Sequence, residues 1–306
     1  MGVTMDKVVL VGCGNVGMSY AYSLINANLH IDEFVIVDIN KEKAEGEALD
    51  LTHAVSALNK NILIKAGDYA ECDNATIVCI CAGRNQDKGE TRNDLIAKNY
   101  QVFKSVIGEI NKTKFKGIYL IATNPLDVMT QITQELSGFP RERVIGSGTT
   151  LDTARLRSLL SKETKVNPKS IHAYVIGEHG DSEFIPWSNT IIGLNKVTES
   201  ISKQTRAKIQ DDVRNSAYHI INKKGNTCYG IGVCLMNITK AILENANSVF
   251  TVSCYDERNG IYIGLPAVIG KKGVNKIFYL DLNKEEEKHF ATSVDCIKSA
   301  LASIKK

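Results

Sequence analysis

Six short apolar runs divide the first half of this chain, and they constrain its fold more than anything else in it. They are KVVLVG (7–12), FVIVDI (34–39), NILIKAG (61–67), TIVCICAG (76–83), GIYLIAT (117–123) and RVIGSG (143–148). Each is rich in β-branched residues and apolar throughout, the pattern of a strand covered on both faces. Amphipathic stretches such as 16–27 and 93–111 lie between them. Strand and helix in alternation predict a parallel sheet with right-handed crossovers.

The second half has a different texture. A helix is expected over Asp152 to Thr164, followed by a strand at IHAYVI (171–176) and a long polar helix from Thr198 to Lys224. Strands at VFTVSCY (249–255) and IYIGLP (261–266) flank DERNG, which reads as a hairpin turn. Phe290, Val294, Ile297, Leu301 and Ile304 form one stripe of a C-terminal helix that docks on the core. The fold class is α/β: an N-terminal doubly wound parallel sheet over 1–148 and a C-terminal α+β domain over 149–306. No repeat or low-complexity linker separates them.

Composition narrows the function classes. The 306 residues are 43% hydrophobic and 23% charged, ordinary for a globular chain. A net charge of +3 with interspersed signs leaves no basic block for nucleic acid. No apolar run is long enough to span a membrane, and the N-terminus lacks a basic stretch followed by an apolar one. The eight cysteines include no CxxC pair, and several sit inside apolar runs. They read as reduced core residues of a cytoplasmic protein, with no metal site expected.

Gly12-Cys13-Gly14-Asn15-Val16-Gly17 follows the first run and opens a helix, and Asp38 ends the second run, 21 residues after Gly17. Gly12, Gly14 and Gly17 permit a tight turn and let a pyrophosphate approach the helix N-terminus. An acid at Asp38 accepts hydrogen bonds from ribose hydroxyls and repels a 2′-phosphate, so the cofactor expected is NAD.

His179 stands in GEHGDSE, a glycine-bounded loop after a strand. Its pKa suits proton transfer near neutrality, and such a histidine needs a carboxylate on its other ring nitrogen. Spacing does not choose among the acids available. Asp152 and Arg155 share a helical face. They could be an acid that orients a base beside a guanidinium that grips a carboxylate, or an ordinary surface ion pair.

The motifs VGCGNVG, VDIN, CAGRNQDKGETRNDL, TNPLDV, SGTTLDTARLR, HAYVIGEHGDSE and KKGNTCYGI, in that order, resemble the L-lactate/malate dehydrogenase family over almost the whole chain, and among its members the allosteric bacterial L-lactate dehydrogenases. The resemblance implies oxidation of a small 2-hydroxy acid, with His179 as acid/base and Asp152 as its partner. Arg155 would bind the substrate carboxylate, Arg92 would polarise its carbonyl from a mobile loop, and Asn124 would bond the reacting oxygen. Thr227 and Asp127 would belong to the substrate site. Val16, Lys43, Tyr69, Gly83, Arg84, Ser105, Ala122, Asn124 and Ser147 fall where the family contacts NAD.

In this family the residue six before the loop arginine reads the far end of the substrate. Here it is Gln86, where a malate enzyme places an arginine. Burying a second carboxylate without a cation costs several kcal/mol, which points to pyruvate and L-lactate. A branched 2-hydroxy acid is the other substrate left open. Arg157 is two residues past Arg155, about 200° around the helix, and so faces away from it. By themselves, Arg157 and His172 read as a surface arginine and a half-buried strand histidine. The resemblance assigns both to a fructose 1,6-bisphosphate site across a subunit interface, in a homotetramer. The stretch from Trp187 to Thr227 is shorter than is usual in the family, which bears on the effector more than on catalysis.

Overall fold

The computed structural model describes residues 5–84 and 89–304; of the Arg92 residue it describes the backbone alone. Gln86 therefore lies outside the described residues. In chain order the elements begin β1 (Lys7–Val11), α1 (Asn15–Asn26), β2 (Glu33–Val37), α2 (Lys41–Ala57), β3 (Leu63–Ala66), β4 (Ile77–Ile80), α3 (Arg92–Ile110), β5 (Ile118–Ile121), α4 (Leu126–Ser137), β6 (Val144–Gly146) and α5 (Thr150–Thr164). They continue β7 (Ile171–His172), β8 (Ile191–Ile192), β9 (Asn195–Lys196), α6 (Val197–Ser200), α7 (Lys203–Lys224), α8 (Tyr229–Leu243), β10 (Ser248–Asp256), β11 (Ile261–Gly270), β12 (Gly273–Ile277) and α9 (Lys284–Ile304).

Among the described residues nine strands form one sheet in the order β12-β11-β10-β6-β5-β4-β1-β2-β3. The six from β6 to β3 are parallel. Chain direction across the sheet reverses between β1 and β4, which opens a crevice at the strands' carboxyl ends, where ligands of such sheets sit. β1, β2, β4, β5 and β6 are buried along their whole length, as continuous apolar runs demand. The NILIKAG run departs from that expectation: β3 is the sheet edge, Leu63 is 57% exposed, and only Ile64 of the strand is buried.

The second half extends this sheet. β10 pairs antiparallel with β6 through Ser253 and Gly146, and β11 and β12 follow as antiparallel neighbours. DERNG does make the β10–β11 turn. α8 also ties the halves together by packing on α1: a Cβ at Gly232 would come 2.6 Å from the Ser19 carbonyl carbon. Beside it the buried Tyr20 hydroxyl bonds Thr239 at 2.7 Å. A second, smaller core lies under α5, with Leu156, Leu160, Ile171, Val175, Ile185, Val197, Ile209 and Val213.

Two expected elements differ. IHAYVI is a strand only at Ile171–His172, because the chain then leaves β7: Val175 packs in the small core, Ile176 bridges Phe184 and Gly177 bridges Gly264 of β11. The polar helix from Thr198 is two helices, broken at Ile201, whose side chain turns into the small core. The C-terminal stripe docks as expected, with Val294, Ile297 and Leu301 buried. No helix among the described residues is long and apolar enough to cross a membrane.

Candidate active site

The residues just past β1, β2, β4, β5 and β6 share one edge of the sheet, and this edge holds the predicted cofactor residues. Gly12 turns the chain with φ +100°, and a Cβ there would stand 2.5 Å from the Ala82 nitrogen. Any side chain on Gly17 would collide with the Gly12 carbonyl. Gly14 is the opposite case: a Cβ would meet nothing within 4 Å, so space is open over the start of α1. No side chain caps α1 there, which leaves its first-turn amides for an anion. This concavity fits a dinucleotide's pyrophosphate.

Asp38 is pinned by two main-chain amides, from Cys13 at 2.8 Å and Asn40 at 2.9 Å. Burial would raise its pKa, but those amides and Lys43 hold it below the usual carboxylate value, so it stays an acceptor. Lys43 caps the arrangement by donating to the Cys13 carbonyl at 2.7 Å. Val16 and Tyr69 are half-buried beside the loop, packed against the core. On the far side of the crevice Gly83 is packed tightly on Thr123, while Arg84 is exposed. Ala122 and the buried Ser147 follow β5 and β6, and the Ser147 amide bonds the Ile121 carbonyl. Ser105 is exposed on α3.

Asn99, which the motifs did not single out, holds this side together. It is fully buried; its Oδ1 accepts from the Arg84 amide at 2.7 Å, and its Nδ2 donates to the Asn124 carbonyl at 2.7 Å. Asn124 itself is exposed at the end of β5, before a cis Pro125. A buried asparagine on a helix that is otherwise apolar on that face is the signal that could have found Asn99.

The second group of predicted residues meets where α5 faces the loop after Ile176. Gly177, with φ +97°, and Gly264 of β11 exchange two main-chain hydrogen bonds of 3.0 Å; a Cβ at Gly264 would come 2.7 Å from the Gly177 oxygen, and one at Gly177 would come 2.5 Å from the Ser293 hydroxyl. His179 is thereby set against α5, its Nδ1 2.7 Å from Asp152 Oδ2. Arg155 Nη1 donates to the other Asp152 oxygen at 2.7 Å. Asp152 is 2% exposed, so its charge depends on these two partners. Burial pushes its pKa up, but His179 and Arg155 together pull it below the usual value. For His179, burial works against the imidazolium; the Asp152 charge and hydrogen bond outweigh it and raise the pKa to about 9.

Asp127, expected in the substrate site, lies beneath it. It is 2% exposed, and both its oxygens are taken by the protein: Oδ2 by the His179 amide at 2.8 Å, Oδ1 by the Ser253 hydroxyl at 2.6 Å. As placed, it acts on His179 through the backbone. Burial raises its pKa to about 6. Thr227 is half-buried just before α8, which packs on the start of α5: a Cβ at Gly230 would come 2.7 Å from Leu151 Cδ1.

Sequence reasoning missed Glu183, in the same GEHGDSE loop. It is 5% exposed, and one ligand-type atom each of Asp152, His179 and Glu183 lie within 4.8 Å of one another. The Arg155 guanidinium occupies the same cluster, so a cation is already present there.

Arg157 leaves α5 in another direction from Arg155. Its Nε donates to the Ala173 carbonyl at 3.1 Å, and its guanidinium lies 5.3 Å from the Tyr174 ring centre. His172, next to Ala173, is exposed on β7 rather than half-buried, because β7 is the outer strand of a small three-stranded sheet.

Comparison with known proteins bears on the whole chain. Residues 6–146 match the NAD-binding domain of lactate/malate dehydrogenases, and residues 149–306 match their α/β C-terminal domain. The chain is similar to L-lactate dehydrogenase 2 of Bacillus cereus (strain ZK / E33L), 49% identical over 310 aligned residues covering 98% of each chain. It is similar to L-lactate dehydrogenase of Bacillus velezensis at 46% identity, over 99% of this chain and 98% of that one. Among solved structures, a lactate dehydrogenase from a Medee basin deep-sea metagenome library superposes with a TM-score of 0.96 at 42% identity, covering 99% of this chain and 100% of that chain. The minor L-lactate dehydrogenase of Enterococcus mundtii, in its ligands-bound form, superposes with a TM-score of 0.94 at 40% identity, over 98% and 99%.

Proposed function

Because this chain belongs to the lactate/malate dehydrogenase family, which makes it an NAD-dependent oxidoreductase, we propose that it interconverts pyruvate and L-lactate with His179 moving the proton. The observation that carries this reading is the Asp152–His179–Arg155 cluster. NAD, bound along the glycine-loop edge, supplies the hydride acceptor, and its reduced form the donor. Everything else belongs to the chain's own residues.

Asp152 takes Nδ1 of His179, which leaves Nε2 for the substrate oxygen. In lactate oxidation neutral His179 accepts the hydroxyl proton as the C–H bond is broken. In pyruvate reduction the imidazolium returns that proton to the carbonyl oxygen. Asp152 stabilises the imidazolium and fixes the ring, and with a pKa of about 9 His179 is charged at neutral pH, as reduction requires. Arg155 spends one donor on Asp152 and keeps the rest of its fork for the substrate carboxylate. Arg92 would polarise the carbonyl and Asn124 would bond the reacting oxygen. Thr227 would line the pocket, and Gln86 would meet the methyl end of pyruvate.

The test is NADH oxidation with pyruvate, oxaloacetate and 2-oxoisocaproate. Pyruvate is expected to have the highest kcat/KM, and Gln86→Arg is expected to shift the oxaloacetate-to-pyruvate ratio toward oxaloacetate by about 100-fold, the scale of one buried ion pair. A ratio that stays at its wild-type value removes Gln86 as the selector.

We propose further that Arg157 and His172 bind fructose 1,6-bisphosphate between subunits of a homotetramer. What supports this is that the half-buried Arg157 bonds the Ala173 carbonyl, next to the exposed His172, so that two phosphate-binding side-chain types come from neighbouring parts of the fold. Pyruvate saturation with and without the sugar bisphosphate tests it; identical curves would remove the effector from the reading.

A further inference from the structure

The loop that carries His179 buries a second acid that the proton transfer just described does not use. Glu183 closes the turn, its amide donating to the Gly180 carbonyl at 3.1 Å. Phe184 follows it and is tied to Ile176 by hydrogen bonds in both directions, so the residue has little freedom to swing out. Glu183 is 5% exposed, and one of its carboxyl oxygens lies within 4.8 Å of an Asp152 oxygen and of a His179 ring nitrogen. The charged groups around it are Asp152 and Arg155 of α5, His179 of its own loop, and Arg214 of α7, which reaches its main-chain oxygen at 3.4 Å.

The charges of this cluster do not balance if every acid is ionised and His179 has given up its proton. With His179 neutral, as lactate oxidation requires, two carboxylates would face one guanidinium with almost no water. Two buried carboxylates that touch share a proton, because both cannot ionise side by side. Asp152 already accepts from His179 and Arg155 and is held ionised by them, so the proton falls to Glu183. Burial and the neighbouring Asp152 charge both act on Glu183 in that direction.

We propose that Glu183 is a positioning residue of this enzyme, a proton-bearing carboxyl that donates a hydrogen bond to Asp152 and so sets how strongly Asp152 acts on His179. By donating to Asp152 it fixes the carboxylate on a third side and draws off part of its charge. His179 is thereby kept from becoming too basic to give up its proton. Glu183 touches neither substrate nor cofactor, and it acts only through Asp152.

The inference rests on His179 as the proton-transfer group, and the two can fail separately. If His179→Asn still reduces pyruvate at the wild-type rate, the parent reading fails. The proton on Glu183 is read independently, from the infrared carbonyl stretch of a protonated carboxyl in the wild-type enzyme near neutral pH. That band is expected, and Glu183→Gln is expected to abolish it; a wild-type spectrum without it overturns the proposal.

The kinetic test is the pH profile of kcat/KM for pyruvate. Glutamine keeps the N–H donor and cannot ionise. E183Q is therefore expected to retain the wild-type midpoint and kcat within about twofold. E183L keeps the bulk and loses the donor. Its midpoint should move up by roughly half to one pH unit and its kcat should fall about tenfold, with NADH affinity unchanged. A midpoint that drops by about one pH unit in E183Q would mean that Glu183 is charged in the enzyme, and would overturn the proposal. So would an E183L profile identical to wild type. Should E183L fail to fold, E183Q and the infrared band still decide.

Discussion

The cofactor edge and the proton-transfer cluster lie in one molecule but are built by opposite means. The edge is made of backbone: glycines that permit close approach, free first-turn amides of α1, and a single acid, Asp38, that two amides hold in place. Its defining residues, 12 to 38, are close in sequence. The cluster is made of side chains drawn from distant segments, with Asp127 on α4, Asp152 and Arg155 on α5, His179 and Glu183 on one loop, and Ser253 on β10. Adding an atom damages the first region, where a Cβ strikes main chain. Removing a charge damages the second, where each buried ion depends on its partners.

Asp152→Asn is the sharpest way to separate the two. The amide presents the wrong group to either His179 or Arg155, and the imidazolium loses its counter-charge. We expect kcat to fall by about 10³-fold or more, while the dissociation constant for NADH changes by less than about threefold. Stopped-flow reduction of pyruvate and fluorescence titration of NADH measure the two effects; a parallel loss of NADH affinity would mean that the regions are not independent. The substitution also has a pH signature. The folded imidazole is raised from its ordinary 6.5 to about 9, so the stabilisation it draws from Asp152 is complete below about 6.5 and lost as pH rises through about 9. Thermal stability of the wild type should fall across that window, and that of D152N should not.

A smaller effect is expected on the other side. Asp38→Ser removes the charge that repels a 2′-phosphate and leaves a small hydroxyl in its place. The ratio of kcat/KM for NADPH to that for NADH should rise about 10- to 100-fold, with the pH midpoint of pyruvate reduction unmoved. A shifted midpoint would show that the cofactor edge reaches the cluster electrostatically.

The same contrast decides what could be read in the sequence. β1, β2, β4, β5 and β6 were legible because strands covered on both faces are written as unbroken apolar runs. β3 was legible as a strand but not as an edge, since nothing in NILIKAG says that Leu63 faces solvent at the end of the sheet. The glycine loop and Asp38 were legible because motif and contacts lie in one stretch of chain. His179 was readable as a base, yet its partner was not, because Asp152 reaches it only through the fold; the family resemblance supplied that pairing. Ser253, Asn99 and Glu183 stayed hidden for the same reason, and Asp127, which the resemblance put in the substrate site, gave no sign of its bonds to the His179 amide and Ser253. Each is an ordinary polar residue until a partner far along the chain buries it.

Cys13 supplies the smallest expected effect and the finest test of the comparison. It sits between the two glycines that shape the cofactor loop, where a reactive thiol would make NAD binding sensitive to oxidants. The structure gives it a different character. It is fully buried, and burial first, then the Asp38 carboxylate, pushes its thiol up to about 11. At neutral pH roughly one molecule in 10⁴ carries the thiolate, which is the species that reacts. Treatment of the native enzyme with iodoacetamide near neutral pH should therefore leave Cys13 unmodified and NADH affinity within about twofold of untreated enzyme. Peptide mass mapping is needed beside the titration, because the half-exposed Cys81 and Cys296 can react without touching the loop. In Asp38→Ser the carboxylate's share of the shift disappears while burial remains, so Cys13 should label only slightly faster. Rapid labelling of wild-type Cys13, matched by loss of NADH binding, would show that the loop opens on its own, and that the backbone-built edge is the less rigid of the two regions.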